Sequence, residues 1–163
     1  MNDCKAKTWP APALSPGQQQ LLEALACHLD DEAGLVELAA DFQAEGHYPL
    51  APHCYSRSVL YRHPQGAEIM VARWDAGACT PTHGHPQYAF VLVLQGRLQM
   101  EHFVATPKGL QLTGTRIKNA GEHIYASGRE GRYDNAIHRV TALEPSLSLH
   151  IYSDDALKGI CFD

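Results

Sequence analysis

The sequence contains no C-x-x-C pair, and its cysteines, Cys4, Cys27, Cys54, Cys79 and Cys161, are scattered and odd in number. That excludes a zinc site built from paired thiolates and argues against a disulfide scaffold. Reduced thiols in a cytoplasmic protein are the expectation. No apolar run reaches the roughly 20 residues that span a bilayer. Residues 1–14 lack the basic-then-apolar order of a secretory leader, so no membrane partner is expected. There is no basic excess either: Lys and Arg total 13 against 18 Asp and Glu, a formal net charge of -5. Nucleic acid is therefore not an expected partner. Internal repeats and low-complexity segments are also missing.

What is present is ordinary globular material, 45% hydrophobic and 19% charged over 163 residues, enough for one domain with a sizeable core. Residues 1–14 read as an irregular lead-in. Ser15–Pro16–Gly17–Gln18 then reads as a helix start, with a hydroxyl that caps, a proline suited to the first turn, and a glutamine closing a capping box. Leu21, Leu22, Leu25 and Leu29 follow at helical spacing. Asp30 and Asp31 offer a second start, and Leu35, Val36, Leu38, Ala39 and Phe42 make a second apolar stripe. Residues 1–50 are thus expected to be an N-terminal helical segment of the same domain, packed outside a sheet. After Pro52 the texture changes to β-branched and aromatic runs separated by Gly and Pro. Candidate strands cover 57–63, 67–74, 88–95, 97–106, 110–118, 123–127, 138–143 and 147–152. A run of strands at hairpin spacing after a run of helices predicts a mainly β sandwich or barrel over 51–163.

Two stretches carry the chemistry. In Thr82–His83–Gly84–His85, the histidines are two apart, and side chains two apart on a strand share a face. His138, in Ile137–His138–Arg139–Val140, is the best candidate for a third ligand. Three neutral imidazoles leave a divalent ion its full charge and three adjacent open positions. Iron(II) suits such a site for work with O2, and zinc suits it for hydrolytic work, so the ligand set alone does not choose the metal. In the second stretch Ser148, His150 and Tyr152 alternate with Leu147, Leu149 and Ile151, which puts hydroxyl, imidazole and phenol on one face. Buried, such a row must hydrogen-bond within itself or to a ligand. Trp74 reads as core. His28, His47, His53, His63, His102 and His123 read as surface or ordinary core residues.

The run from Gly77 through His83, His85 and Ala89 to Gly96 resembles the first motif of the cupin superfamily, with Ala89 at the glutamate position. His138 sits where the second cupin motif places its histidine. The resemblance spans roughly residues 50–155 and implies a single-domain double-stranded β-helix barrel. More narrowly, three stretches together resemble the cysteine dioxygenase family of thiol dioxygenases. Tyr55–Ser56–Arg57 is similar to that family's substrate-carboxylate segment, and Thr82–His83–Gly84–His85 to its first iron motif. Ile137–His138–Arg139–Val140 with Ser148–Leu149–His150–Ile151–Tyr152 is similar to its third iron ligand and Ser-His-Tyr triad. This implies an iron(II) enzyme that adds both atoms of O2 to the sulfur of a small thiol, cysteine first and 3-mercaptopropionate next. It implies Arg57 as the partner of the substrate carboxylate, a planar fork that pairs it in two places, with Tyr55 assisting. It also implies Tyr152, held by His150 and Ser148, as the hydroxyl that meets substrate or oxygen. The chain departs from the family at Ala89, where crosslinking members carry cysteine, so Tyr152 is expected unmodified. It departs again at Ala142, which replaces an asparagine, and at Asp154, where proline is often found. The competing readings are a cupin dioxygenase acting on a carbon substrate and a non-catalytic metal-bearing cupin that binds a small ligand.

Overall fold

The computed structural model describes residues 6–163; Cys4 and the start of the expected lead-in lie outside the described residues. The elements run β1 (Lys7–Trp9), α1 (Pro16–Ala26), α2 (Glu32–Ala39), β2 (Tyr55–Arg62), β3 (Glu68–Trp74), β4 (His83–His85), β5 (Tyr88–Gln95), β6 (Arg97–Thr106), β7 (Gly109–Asn119), β8 (His123–Ser127), β9 (Asn135–Ala142) and β10 (Ser146–Tyr152). One turn of 3-10 helix, Ala156–Lys158, follows.

Both helices begin where side-chain chemistry makes them begin. The Gln18 amide donates to Ser15 Oγ at 3.2 Å, and the Gly34 amide donates to Asp31 Oδ1 at 3.0 Å. Each cap satisfies one of the amides that a helix start leaves without an internal partner. Leu22, Leu25 and Leu35 are almost fully buried against Ile69, Val71, Phe90, Leu149 and Ile151. Each such side chain stabilises the packing by about 1.5–3 kcal/mol. The helices therefore cover the outer face of a sheet, as the leucine stripes predict.

The strands form a six-stranded sheet, ordered β1-β2-β3-β10-β5-β8, and a four-stranded sheet, ordered β4-β9-β6-β7. Ala72, Trp74, Val91 and Val93 of the first pack against Leu98, Met100, Val140 and Ala142 of the second. The two sheets thus face each other around a shared core, with β8 and β7 as edges rather than a paired closure. β1 corrects the expectation of an irregular lead-in: it pairs in parallel with β2, Thr8 opposite Arg57. That pairing is long-range and leaves no mark in a three-residue segment. The expectation of uniformly reduced thiols fails at Cys54, which is disulfide-bonded; Cys27, Cys79 and Cys161 are free. No helix among the described residues is long and apolar enough to cross a membrane.

Candidate metal centre

β4 and β9 bring the three expected ligands together. They pair antiparallel with His83 opposite His138, and His85 follows two residues on, across Gly84. That glycine is required by space: a Cβ there would stand 2.6 Å from the Tyr133 carbonyl oxygen. The ring centroids are 4.8 Å apart for His83–His85, 4.8 Å for His83–His138 and 4.4 Å for His85–His138. One nitrogen from each ring lies within 4.8 Å of the others.

The hydrogen bonds decide which nitrogen each ring offers. His83 Nδ1 meets the Pro81 carbonyl at 2.8 Å, and His85 Nδ1 meets the Ala136 carbonyl at 3.1 Å. A carbonyl only accepts, so in both rings Nδ1 carries the proton and Nε2 keeps a lone pair. His85 Nε2 is buried with no hydrogen-bond partner, an arrangement that is costly unless a ligand completes it. Burial pushes the His85 pKa down to about 3, helped by the neighbouring His83. Burial also holds His138 well below the usual range, and lowers His83. All three rings are therefore neutral at physiological pH, which is the ligating form. The donor set fits a divalent transition ion. Ala136 holds its carbonyl toward His85 from a left-handed backbone, φ 47°, a conformation that costs a non-glycine residue of order 1 kcal/mol.

Beside the cluster runs a four-membered hydrogen-bond relay. Trp74 Nε1 donates to Ser148 Oγ at 2.8 Å, Ser148 Oγ lies 2.7 Å from His150 Nε2, and His150 Nδ1 lies 2.8 Å from the Tyr152 oxygen. An indole N–H can only donate, and among the described residues His150 Nε2 is the one acceptor that the proton of the fully buried Ser148 hydroxyl meets; together these set the direction. Ser148, already accepting from Trp74, gives its proton to His150 Nε2. His150 then carries its own proton on Nδ1 and donates it to Tyr152. The Tyr152 proton is left over and points out of the relay. Tyr152 stacks on the ring of His85 at 5.7 Å, so the relay ends against the three-histidine cluster. Burial and the Arg57 charge push the His150 pKa down to about 3. Burial raises the Tyr152 phenol, which stays protonated. Trp74 is thus core, as expected, and also the head of the relay. Tyr55 stacks on its other side at 4.5 Å.

Arg57 is 3% exposed, and its charge reaches both His150 and Tyr152. It does not present an open fork. Its Nη2 donates to Glu68 Oε1 at 2.6 Å and its Nε to Met70 Sδ at 3.2 Å. Glu68 is fully buried and also pairs with Arg62 at 2.6 Å. A guanidinium taken out of water needs such a counter-charge. Nothing in the sequence marks Glu68, because its role exists only once β2 and β3 pair.

His102, expected to be a surface or ordinary core residue, lies beside the three-histidine cluster. It stands opposite His138 in the β6–β9 ladder, with the rings 6.2 Å apart, and its Nε2 is buried without a partner. Its parity with Leu98 and Met100 on β6 is local, but its place opposite His138 depends on the register of β6 with β9.

No protein-family model matches this chain, and no curated protein matches it in sequence. Solved structures do match in shape. An uncharacterized conserved protein with a double-stranded β-helix domain from Klebsiella pneumoniae subsp. pneumoniae is 14% identical, with a TM-score of 0.56 over 75% of this chain and 96% of that one. A cupin superfamily protein from Desulfitobacterium hafniense is 13% identical, with a TM-score of 0.49 over 74% of this chain and 88% of that one. KdgF from Halomonas sp. is 20% identical, with a TM-score of 0.48 over 68% of this chain and 90% of that one. The first of these likenesses shows the fold, a double-stranded β-helix, in agreement with the cupin expectation.

Proposed function

We propose that the protein is an iron(II)-dependent thiol dioxygenase acting on a small thiol, cysteine first and 3-mercaptopropionate next. The observation that supports this most is the relay ending at Tyr152. A ligand-binding cupin has no use for a buried phenol whose spare proton is aimed out of a donor chain beside three neutral imidazoles. The net reaction is R–S⁻ + O2 → R–SO2⁻. Two S–O bonds form and the O–O bond breaks, with sulfur giving up the four electrons that O2 takes, so no outside reductant is needed. Iron(II) on His83, His85 and His138 supplies the redox chemistry of that exchange.

The chain's own groups divide the remaining work. His83 and His85 present Nε2 because the Pro81 and Ala136 carbonyls hold their Nδ1 protons. Tyr152 donates its hydroxyl proton to the anionic substrate or to the oxygen side, and His150 fixes its orientation. Arg57 and Tyr55 are the substrate-binding groups on this side. With Nε and Nη2 of Arg57 occupied, Nη1 is what a substrate reaches. The charge of Arg57 favours the thiolate, the form of a thiol that binds metal.

The test is O2 consumption by iron-loaded protein against a panel of cysteine, 3-mercaptopropionate, cysteamine and 2-mercaptoethanol, with product analysis. The expected result is one O2 consumed per sulfinic acid formed. No thiol-dependent uptake across the panel rejects the proposal, and uptake with a diketone alone favours the carbon-substrate reading.

A further inference from the structure

The two sheets end side by side at β7 and β8 without pairing, and a cavity of about 260 Å³ occupies that seam. Arg116 lines it from β7, Ile124 and Tyr125 line it from β8, and His85, His138 and His102 line its inner part. This is a second approach to the metal ligands, and neither Arg57 nor Tyr152 is among its lining residues.

Its charge is opposite to that of the molecule. The chain has 18 acidic residues against 13 basic, yet among the described residues no carboxylate lines the cavity. Arg116 is exposed and makes no ion pair among the described residues. Arg116 and Lys118 both lie close enough to His102 to bear on its charge. Deeper in, His102 has a buried nitrogen with no partner. An uncompensated guanidinium at the rim and an imidazole within, which in its Nε2–H tautomer has a donor free for an anion, make a site for an anion. The volume is below the roughly 300–1,000 Å³ of pockets for drug-sized ligands, which suits a short-chain acid.

We infer that the β7–β8 seam is a carboxylate-binding subsite, in which Arg116 and His102 hold the acid group of a short-chain thiol acid whose other end reaches the His85–His138 side of the metal centre. Arg57 then keeps to the sulfur end, where its charge is already shared with Glu68. The thiol half of this statement rests on the proposed function; the carboxylate half rests on the cavity alone.

The experiment separates the two halves. Iron-loaded protein held without O2 is titrated calorimetrically with propionate, 3-mercaptopropionate and 2-mercaptoethanol. Arg116→Gln and His102→Phe are compared with the wild-type chain. The expected result is that Arg116→Gln weakens both carboxylates about tenfold or more and leaves 2-mercaptoethanol unchanged. His102→Phe shows the same pattern more weakly. Wild-type affinity of Arg116→Gln for 3-mercaptopropionate, or an equal loss for 2-mercaptoethanol, overturns the subsite. Propionate binding that depends on Arg116 in a protein without thiol-dependent O2 uptake keeps the subsite and removes the proposed reaction.

Discussion

Arg57 and Arg116 belong to opposite sheets and to opposite electrostatic regimes. Arg57 is 3% exposed, clasped by a carboxylate that is itself fully buried. Arg116 stands at the rim of a cavity lined by no acid among the described residues. A buried charge must be neutralised within the fold, because its desolvation is too costly to leave open. It is therefore mostly committed before any ligand arrives. An exposed charge keeps its water, needs no internal partner, and stays available to an anion that can bring its own hydrogen-bonding geometry. The resemblance in Tyr55–Ser56–Arg57 points to a residue whose charge reaches the relay, but two of its three nitrogens are occupied. A lone arginine on an edge strand resembles nothing in particular, yet it is the cation an incoming acid meets uncompensated.

The sharpest way to break this contrast is to remove Glu68. Glu68→Ala leaves Arg57 buried beside a void with no counter-charge, and the expected cost is about 3–5 kcal/mol of folding stability. Arg116→Gln, at an exposed position, is expected to change stability by less than about 0.5 kcal/mol. Urea unfolding of both variants beside the wild-type chain measures the difference. Comparable small losses in the two would show that Arg57 is not committed to Glu68, and the contrast would fall.

A second test uses protons. Both arginines depress a neighbouring histidine, Arg57 acting on His150 and Arg116 on His102, each behind the larger effect of burial. His150 is the cleaner case, because its folded pKa is about 3 against about 6.5 in an unfolded chain. Between those values the unfolded state binds the proton and the folded state does not. Stability from this group is thus fully present above about pH 6.5 and is lost as pH falls toward 3, at up to about 1.4 kcal/mol per pH unit. His85, also near 3, adds a slope of the same sign. Unfolding free energies measured from pH 7 to pH 4 should fall, and His150→Gln should make that fall shallower. An unchanged slope in the variant would mean that His150 accepts a proton within the fold, and Ser148 would then accept from His150 Nε2 instead of donating to it.

Much of this was legible in the sequence, for a reason that lies in the strand itself. Side-chain parity is a local property, so the pairing of His83 with His85 and the row Ser148–His150–Tyr152 could be read without knowing the fold. The Ser15 cap and the leucine stripes are local too. What was hidden depends on register between distant strands. Glu68 matters because β3 pairs with β2 and carries it to Arg57. His102 matters because β6 places it opposite His138. The seam exists because β7 and β8 fail to pair, a property of neither strand alone. Trp74 sits between these cases: its burial was foreseen from its type, whereas its hydrogen bond to Ser148 needed β3 and β10 to lie side by side.

That hydrogen bond sets the smallest expected effect and the finest division between the two regions. Trp74→Phe keeps most of the ring volume and its stacking with Tyr55, and removes only the N–H that orients Ser148. One net hydrogen bond is worth about 0.5–1.5 kcal/mol, so the rate of thiol-dependent O2 uptake should drop by roughly twofold to tenfold. The loss should appear in kcat, because the relay acts through the Tyr152 proton and none of its four members lines the seam. Anaerobic affinity for 3-mercaptopropionate should stay at the wild-type value. A variant that instead loses affinity with kcat intact would place the relay in substrate holding. The separation between a proton-donating side and an acid-binding side would then have to be redrawn.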